Sequence, residues 1–412
     1  MDRENLTLPL ARTLDKLAAP EVCAPLLKRL EATLRSLPAK SGQATQAGYP
    51  GGRLRFMEVC GTHTVSIFRS GLHSLLPAGL VHISGPGCPV CVTHGSEIAA
   101  LLELAARPGV TLATFGDLMR VPGPLAPAGP DRSGPNSLKE ATAAGYRVEV
   151  VYSPLNALQL AAARPDRQVV FAGVGFETTA PATAAAVLRA RAQGLKNFSL
   201  LSLHKLIPPA LRFLLRQTDQ AGQTEKTGPG DIDAFLLPGH VASVLGLEPF
   251  SFLADEFGKN SVVSGFEPAD ILQSLLMLAE AANRRQPAVL NQYRRAVAAR
   301  GNARARAVLD QVFSPVDALW RGLGLIPQSG LALRREFAAF DARLVFDLPP
   351  PDPAKAEALE QQSGCRCGDV LKGGLRPTAC PLFGRACTPA RPVGPCMVSS
   401  EGGCAAYYKY GT

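Results

Sequence analysis

Short apolar runs alternate with amphipathic stretches through the first third of the chain. Three runs, Leu54–Val59, Leu80–Ser84 and Val110–Phe115, have the length of buried strands and end in turn residues. The stretches Val65–Leu76 and Ser96–Ala106 carry apolar residues at three- and four-residue spacing, which predicts helices. This alternation indicates βα repeats and a parallel sheet. In such sheets, ligand-binding residues collect at the carboxyl ends of the strands.

The same alternation continues beyond a loop rich in proline and glycine at Val121–Pro135. Helices are predicted at Pro154–Ala163, Ala180–Gln193 and Pro208–Gln217, between further apolar runs. The candidate strands of this part are Arg147–Tyr152, Gln168–Ala172, Asn197–Ser202, Ala234–Leu237 and Ser261–Ser264. We therefore expect a second α/β unit.

The two ends of the chain follow other patterns. A helix is predicted at Leu8–Leu37, broken at Pro20, with Cys23 on its apolar side as a buried small hydrophobe. The pattern in Ala269–Leu344 is mostly helical. The tail Gly364–Tyr410 is rich in glycine and proline and poor in aliphatic side chains, so it cannot bury enough surface to fold unaided. Its thiols must fix it, through disulfides or through a metal centre.

Composition and charge narrow the function. The formal charge of +9 comes from arginines between Arg284 and Arg343, and we interpret them as a solvated helix face. No basic motif interleaved with aromatic residues supports nucleic-acid binding. The N-terminus lacks the apolar core of a secretory signal, and no apolar run is long enough to span a membrane. We therefore expect a cytoplasmic protein, whose ten cysteines serve metal or redox chemistry.

Six of the ten cysteines lie in the tail. Four of them, Cys365, Cys380, Cys387 and Cys404, are separated by fourteen, six and sixteen residues, and Cys367 and Cys396 are additional. The paired Cys-x-x-Cys knuckles of zinc ribbons are absent. Dispersed thiolates in a chain rich in glycine and proline favour a cubane iron–sulfur cluster. Zinc and disulfides remain alternatives.

Two further thiol motifs follow predicted strands. Cys88 and Cys91 form a Cys-x-x-Cys pair near a helix N-terminus, where the backbone N–H groups lower thiol pKa values. We interpret the pair as a dithiol–disulfide couple, with a metal half-site or packed thiols as alternatives. Cys60 and His63 lie three residues apart at a helix start, as expected for a nucleophile or a soft metal ligand with a proton relay. A structural role is the alternative.

Six stretches resemble the HypD family of [NiFe]-hydrogenase maturation factors. They are FMEVCGTHT (Phe56–Thr64), GPGCPVCVT (Gly85–Thr93), GFETTAP (Gly175–Pro181), PGHVASVLG (Pro238–Gly246), GFEPADIL (Gly265–Leu272) and the tail through CMVSSEGGCAAYYKY. These motifs are long and unusual, and the resemblance runs from about Arg53 to Tyr410.

The resemblance implies an α/β protein with two Rossmann-like parallel-sheet domains and a C-terminal, mostly helical or irregular iron–sulfur domain. We place a helical extension and linker at 1–52, the first α/β domain at 53–135 and the second at 136–270. The helical region and the [4Fe-4S] domain take 271–412.

The resemblance also implies a function, which is a scaffold on which iron acquires one CO and two cyanide ligands. Cys60 would bind this iron together with a cysteine of a HypC-like chaperone, and His63 would lie beside it. A HypE-like protein would donate cyanide, and the hydrogenase large subunit would receive the product.

For the redox part, the resemblance implies that Cys88 and Cys91 are the active thiol pair. The [4Fe-4S] cluster would be held by Cys365, Cys380, Cys387 and Cys404, with Glu401 nearby; Cys367 is the alternative first ligand because it lies two positions from Cys365. The competing functions are a stand-alone iron–sulfur thiol–disulfide oxidoreductase and a zinc-stabilised scaffold.

Overall fold

The computed structural model describes residues 17–38, 52–123, 134–221, 232–354, 358, 361 and 363–411. The chain divides into two compact units, each built from separate segments. Unit 1 comprises residues 1–87, 215–301 and 406–412, and unit 2 comprises residues 88–214 and 302–405. The predicted helix before Leu17 and most of the two predicted loops, at Pro38–Gly52 and Val121–Pro135, lie outside the described residues.

The strands of the described residues are β1 (Leu54–Glu58), β2 (Leu80–Ser84), β3 (Val110–Thr114), β4 (Val148–Val150), β5 (Gln168–Gly175), β6 (Phe198–His204), β7 (Ala234–Pro238), β8 (Asn260–Ser264), β9 (Val289–Asn291), β10 (Phe313–Trp320) and β11 (Gly324–Leu333). Strands β1 to β8 follow predicted apolar runs, whereas β9 to β11 lie in the segment that was predicted to be mostly helical. The main helices are Pro20–Arg35, Gly61–Arg69, Gly95–Ala106, Leu138–Ala143, Pro154–Ala163, Ala180–Ala192, Ile207–Ala221, Gly239–Leu245, Pro268–Arg284, Ala303–Val312 and Gly403–Tyr410. Shorter helices are Leu72–Leu75, Pro89–Val92, Phe252–Asp255, Ala342–Val345 and Cys367–Leu371.

Unit 1 contains a five-stranded sheet in the order β2-β1-β7-β8-β9, in which every neighbouring pair is parallel. Helices Pro20–Arg35 and Pro268–Arg284 cover it through a continuous apolar cluster that includes Phe56 and Leu236. Cys23 is half-buried against this cluster, so the prediction that it is buried is correct only in part. Because the strands are parallel, their carboxyl ends meet at one edge.

Unit 2 contains a four-stranded parallel sheet in the order β4-β3-β5-β6. Its central strand β5 is buried over its last seven residues, as expected for a parallel strand covered on both faces. The α/β class with two parallel sheets is therefore confirmed. The sheets draw on separated segments, whereas the predicted domains are contiguous. β3 pairs within unit 2, and β7 and β8 pair within unit 1.

The prediction of a mostly helical segment from Ala269 to Leu344 is wrong for its second half. Here β10 and β11 form an antiparallel hairpin with an irregularity between Val316 and Ala318. Apolar residues recur at helical spacing in this segment, which explains the error. The chain reverses at Gly322 and Gly324, whose φ values of 75° and 81° suit a turn and not a helix.

The tail is short helices and turns, as predicted. Besides the helices it contains single 3₁₀ turns at Pro377–Ala379 and Pro395–Met397. Among the helices of the described ranges, none has the length and apolar composition that a bilayer-spanning segment requires.

Candidate functional site

Cys60 lies where β1 ends and the helix Gly61–Arg69 begins. It is the N-cap residue with extended backbone angles (φ −151°, ψ 120°), and it is 8% exposed. The carbonyl group of Cys60 accepts the Thr64 N–H at 3.1 Å, and the Gly61 N–H donates to the Gly87 carbonyl group at 2.8 Å. The predicted placement of this thiol at a strand end and helix start is confirmed.

Gly87 fixes how closely the loop after β2 approaches Cys60. A methyl group at position 87 would collide with the backbone N and Cα atoms of Cys60. Gly85 donates its N–H to the Glu58 carbonyl group at 2.8 Å in the same loop. The glycines of the Gly-Pro-Gly sequence are therefore needed for close backbone approach.

Glu58 is a site residue that the sequence analysis missed. Its side chain is fully buried at the end of β1. One carboxylate oxygen accepts the Cys60 N–H at 3.0 Å, and the other accepts the Thr64 hydroxyl at 2.5 Å. A carboxylate at a helix N-terminus satisfies unpaired N–H groups and interacts favourably with the helix dipole. The available signal was an acidic residue directly after two apolar residues at the end of a predicted strand.

His63 is fully buried one turn into the same helix. Its Nε2–H donates to the Gly265 carbonyl group at 2.9 Å, and within the described residues its Nδ1 atom has no hydrogen-bond partner. Burial lowers the pKa of His63 to about 4, although the hydrogen bond to Gly265 acts in the opposite direction. The ring is therefore neutral at physiological pH, and its buried Nδ1 atom carries a lone pair.

An aromatic residue links His63 to a second histidine. The ring of Phe266 stacks on His63 with centroids 4.7 Å apart and on His240 with centroids 4.0 Å apart. Phe266 and His240 follow β8 and β7, so both come from the carboxyl edge of the unit 1 sheet. Burial lowers the pKa of His240 as well.

Unit 2 begins with the second thiol motif. A disulfide joins Cys88 and Cys91, with Cα atoms 5.2 Å apart. Cys88 is the N-cap of the helix Pro89–Val92, and its Sγ atom accepts the Cys91 N–H at 3.2 Å. The Cys91 Sγ atom lies 4.0 Å from the Pro395 carbonyl oxygen, so the pair contacts the tail.

All six cysteines of the tail line one cavity in unit 2. They are Cys365, Cys367, Cys380, Cys387, Cys396 and Cys404, together with apolar side chains such as Val370, Leu382, Phe383 and Met397. Cys380 and Cys387 flank a turn in which the Cys387 N–H donates to the Leu382 carbonyl group at 2.8 Å. The tail thiols therefore share one cavity, with Cys367 and Cys396 included.

Burial disfavours the ionised form of these thiols. It raises the pKa of Cys396 to about 12 and raises that of Cys404 further, and neighbouring thiols add to both shifts. Several thiolates in one apolar cavity repel one another unless a cation compensates their charge. The donor set therefore suits a metal centre, since a coordinated thiol is deprotonated.

Two contacts bear on which thiols could act as ligands. The Val393 N–H donates to the Cys387 Sγ atom at 3.4 Å. The Cys365 Sγ atom lies against Gly394, where a methyl group would collide with it. Within the described residues, no three Cys, His, Asp or Glu side chains converge closely enough to hold a single metal ion.

Comparison with known proteins decides the family. The model of the family described as "HypD: Hydrogenase formation hypA family" matches residues 38–411. The chain belongs to the HypD family. It is 46% identical over 370 residues to the hydrogenase maturation factor HypD of Rhizobium leguminosarum bv. viciae, covering 90% of this chain and 91% of that protein. It is 42% identical over 401 residues to HypD of Escherichia coli (strain K12), covering 97% and 98% of the two chains.

The predicted site residues of this HypD family member fall into both units. Cys60 and His63 belong to unit 1, and the disulfide pair, the tail cysteines and Glu401 belong to unit 2. Glu401 is half-buried, and its N–H donates to the Ser399 hydroxyl at 3.2 Å.

Proposed function

We propose that this protein is the scaffold and redox protein on which the Fe(CN)₂CO unit of [NiFe]-hydrogenase is assembled. Membership of the HypD family supports a role in hydrogenase maturation. The contact between the Cys88–Cys91 disulfide and the Pro395–Met397 turn of the cysteine cavity is the observation that carries the redox part. We place the reaction in the cytoplasm, where thiols are kept reduced.

Iron is the cargo of this scaffold, and Cys60 is its proposed ligand together with a cysteine of a HypC-like chaperone. A soft thiolate suits an iron that carries CO and cyanide. Glu58 holds the backbone of Cys60 in place, and the neutral His63 offers a lone pair on Nδ1 as a hydrogen-bond acceptor. Cyanide comes from a HypE-like protein, and the finished unit passes to the hydrogenase large subunit.

The resident cofactor we propose is a [4Fe-4S] cluster held by Cys365, Cys380, Cys387 and Cys404. In a cubane each thiolate binds a different iron, so its ligands lie further apart than those of one zinc ion. All four thiols line one largely apolar cavity, which supports a cluster bound by four thiolates. Such a cluster would supply electrons one at a time to groups beside the cavity.

Cys88 and Cys91 are the proposed redox pair. Opening their disulfide consumes two electrons and two protons and yields two thiols. The Cys91 N–H hydrogen bond to the Cys88 Sγ atom would then favour the thiolate form of Cys88.

The iron assignment is tested by Cys60→Ala, purified anaerobically with the HypC-like partner. We expect iron retention and the infrared bands of bound CO and cyanide to disappear. Cys23→Ala, which removes a half-buried thiol among apolar side chains, is the matched control and should keep both. Normal bands in Cys60→Ala protein would show that another group holds the iron.

The cluster and the pair are separated by comparing Cys380→Ala with Cys88→Ala. We expect Cys380→Ala to lose the visible absorption and the acid-labile sulfide of the cluster, and Cys88→Ala to keep them. If metal analysis of the native protein found zinc and no iron, the cluster assignment would be wrong and the protein would be a zinc-stabilised scaffold. A stand-alone thiol oxidoreductase would instead contain the cluster but never acquire CO or cyanide bands with its partners.

A further inference from the structure

A second cavity of unit 2 lies apart from the cysteine residues. Its volume is about 320 Å³, within the range of small-molecule sites. One wall is the second half of β6 with Lys205, which directly follows that strand, and another wall is the hairpin β10–β11. Apolar walls with a few polar groups are the usual composition of such sites.

Lys205 supplies an unusual polar group to this cavity. The residue is 1% exposed, and its Nζ atom donates to the Glu97 carboxylate at 2.6 Å. An ammonium group has three N–H donors, and within the described residues Glu97 is the only hydrogen-bond acceptor that Nζ meets. Buried donors without acceptors are costly, so an acceptor from outside the chain would stabilise this arrangement.

The other groups of the cavity wall are already satisfied or are basic. The second Glu97 oxygen accepts the His94 N–H at 2.9 Å. His204 lies between the Ser202 and Thr183 hydroxyl groups at 3.1 and 3.3 Å. Arg343 uses one guanidinium nitrogen on the Pro349 carbonyl group at 3.3 Å, which leaves N–H donors for a ligand.

We propose that this cavity binds a small organic carboxylate with an apolar body, whose carboxylate accepts hydrogen bonds from Lys205 and Arg343. Lys205 and Arg343 are the cations of the lining, and its carboxylates are Glu97, Asp341 and the exposed Asp317, which accepts the Gln328 N–H. A ligand with one carboxylate can use the remaining N–H donors of Lys205 and Arg343, whereas the three carboxylates would repel a polyphosphate. Leucine side chains of the walls, such as Leu200, Leu319 and Leu331, suit an apolar body.

Gly330 shows that the packing leaves little freedom at one side of this cavity. A methyl group at this position would lie 2.7 Å from the Cβ atom of Ala318, and both residues line the cavity. The Ser202 hydroxyl donates to the Leu331 carbonyl group at 2.6 Å, which ties β6 to β11. The walls are therefore held by local contacts, and the site is largely formed before a ligand binds.

Titration of the full-length protein with 4-fluorobenzoate, followed by ¹⁹F NMR, tests the proposal. We expect saturable binding, and affinity for the neutral isostere 4-fluorobenzamide at least about tenfold weaker because the amide carries no charge. Lys205→Met/Glu97→Gln removes both charges together, so that neither is left buried alone, and should weaken 4-fluorobenzoate binding by about tenfold or more.

The control pair Lys196→Met/Glu103→Gln makes the same chemical change at two exposed positions and should leave binding unchanged. Ala332→Phe partly fills the cavity and should abolish binding even if the charge variant fails to fold. Absence of saturable binding at millimolar probe, equal affinity for acid and amide, or unchanged binding in Ala332→Phe would each overturn the proposal. The proposed maturation function rests on the cysteines and survives any of these results.

Discussion

At the scale of single residues, Glu58 is the group on which the geometry around Cys60 depends. Its buried carboxylate accepts the Cys60 N–H and the Thr64 hydroxyl. Glu58→Ala should lower the free energy of unfolding by about 2 kcal/mol, because both donors lose an acceptor that water cannot easily replace. The shift of the urea midpoint measures this loss.

The control for this substitution is Glu103→Ala, which removes a carboxylate from an exposed pair with Arg107. Exposed ion pairs contribute little to stability, so the free energy of unfolding should change by less than about 0.5 kcal/mol. Equal shifts in the two variants would show that Glu58 does not organise the Cys60 backbone.

His204 makes one contribution to the pH dependence of unit 2. Burial lowers the pKa of His204 to about 3, and the charge of Lys205 adds to this shift. The unfolded chain therefore binds one more proton between about pH 6.5 and 3, so this residue costs stability as the pH falls through that window. Between pH 7 and pH 4, the free energy of unfolding of His204→Gln should fall by about 3 kcal/mol less than that of the native protein. Urea unfolding at a series of pH values measures this difference. An equal fall in the free energy of unfolding of the two proteins would exclude this role.

At the scale of elements, the strands were largely predictable because each carries its own apolar run and turn residues. β8 begins one residue before its predicted start at Ser261, and β5 and β6 extend beyond their predicted ends. The hairpin β10–β11 was not predictable from periodicity, since its apolar residues also fit a helix. The hairpin depends on cross-strand pairs such as Phe313 with Leu333, and a local sequence pattern does not contain such pairs.

The hairpin makes a packing prediction. Gly330→Ala would place its methyl group 2.7 Å from the Cβ atom of Ala318 and should destabilise the protein by about 1–2 kcal/mol through overpacking. Adding Ala318→Gly removes the collision and should restore most of the loss in melting temperature. A double variant no more stable than Gly330→Ala would mean that the cost arises elsewhere.

At the scale of the whole molecule, the candidate site was partly predictable. The convergence of the tail thiols followed from their number in a segment too poor in apolar residues to fold alone. The position of the Phe266 ring between two histidines did not, because its contacts with His63 and His240 join residues far apart in the sequence. The role of Glu58 depends on hydrogen bonds to Cys60 and Thr64 that the sequence pattern does not contain. The alternation of segments of the two units along the chain was also not predictable, since a strand's own residues do not specify which strands pair with it.

Because the strands of each sheet come from separated segments of the chain, we expect that residues 53–135, the first α/β domain of the sequence analysis, do not fold alone. A chain limited to residues 53–135 keeps β1 and β2 but lacks β7, which pairs with β1 on its other side, and separates β3 from β5. It also lacks the helix Pro268–Arg284, which supplies much of the apolar cluster. We expect no cooperative thermal transition by circular dichroism.

Residues 1–87 joined to 215–301 by a Gly/Ser linker retain the whole β2-β1-β7-β8-β9 sheet and should unfold cooperatively. A cooperative transition in 53–135 alone would mean that two strands and their helices suffice, and that the sheet order contributes little to the stability of this unit.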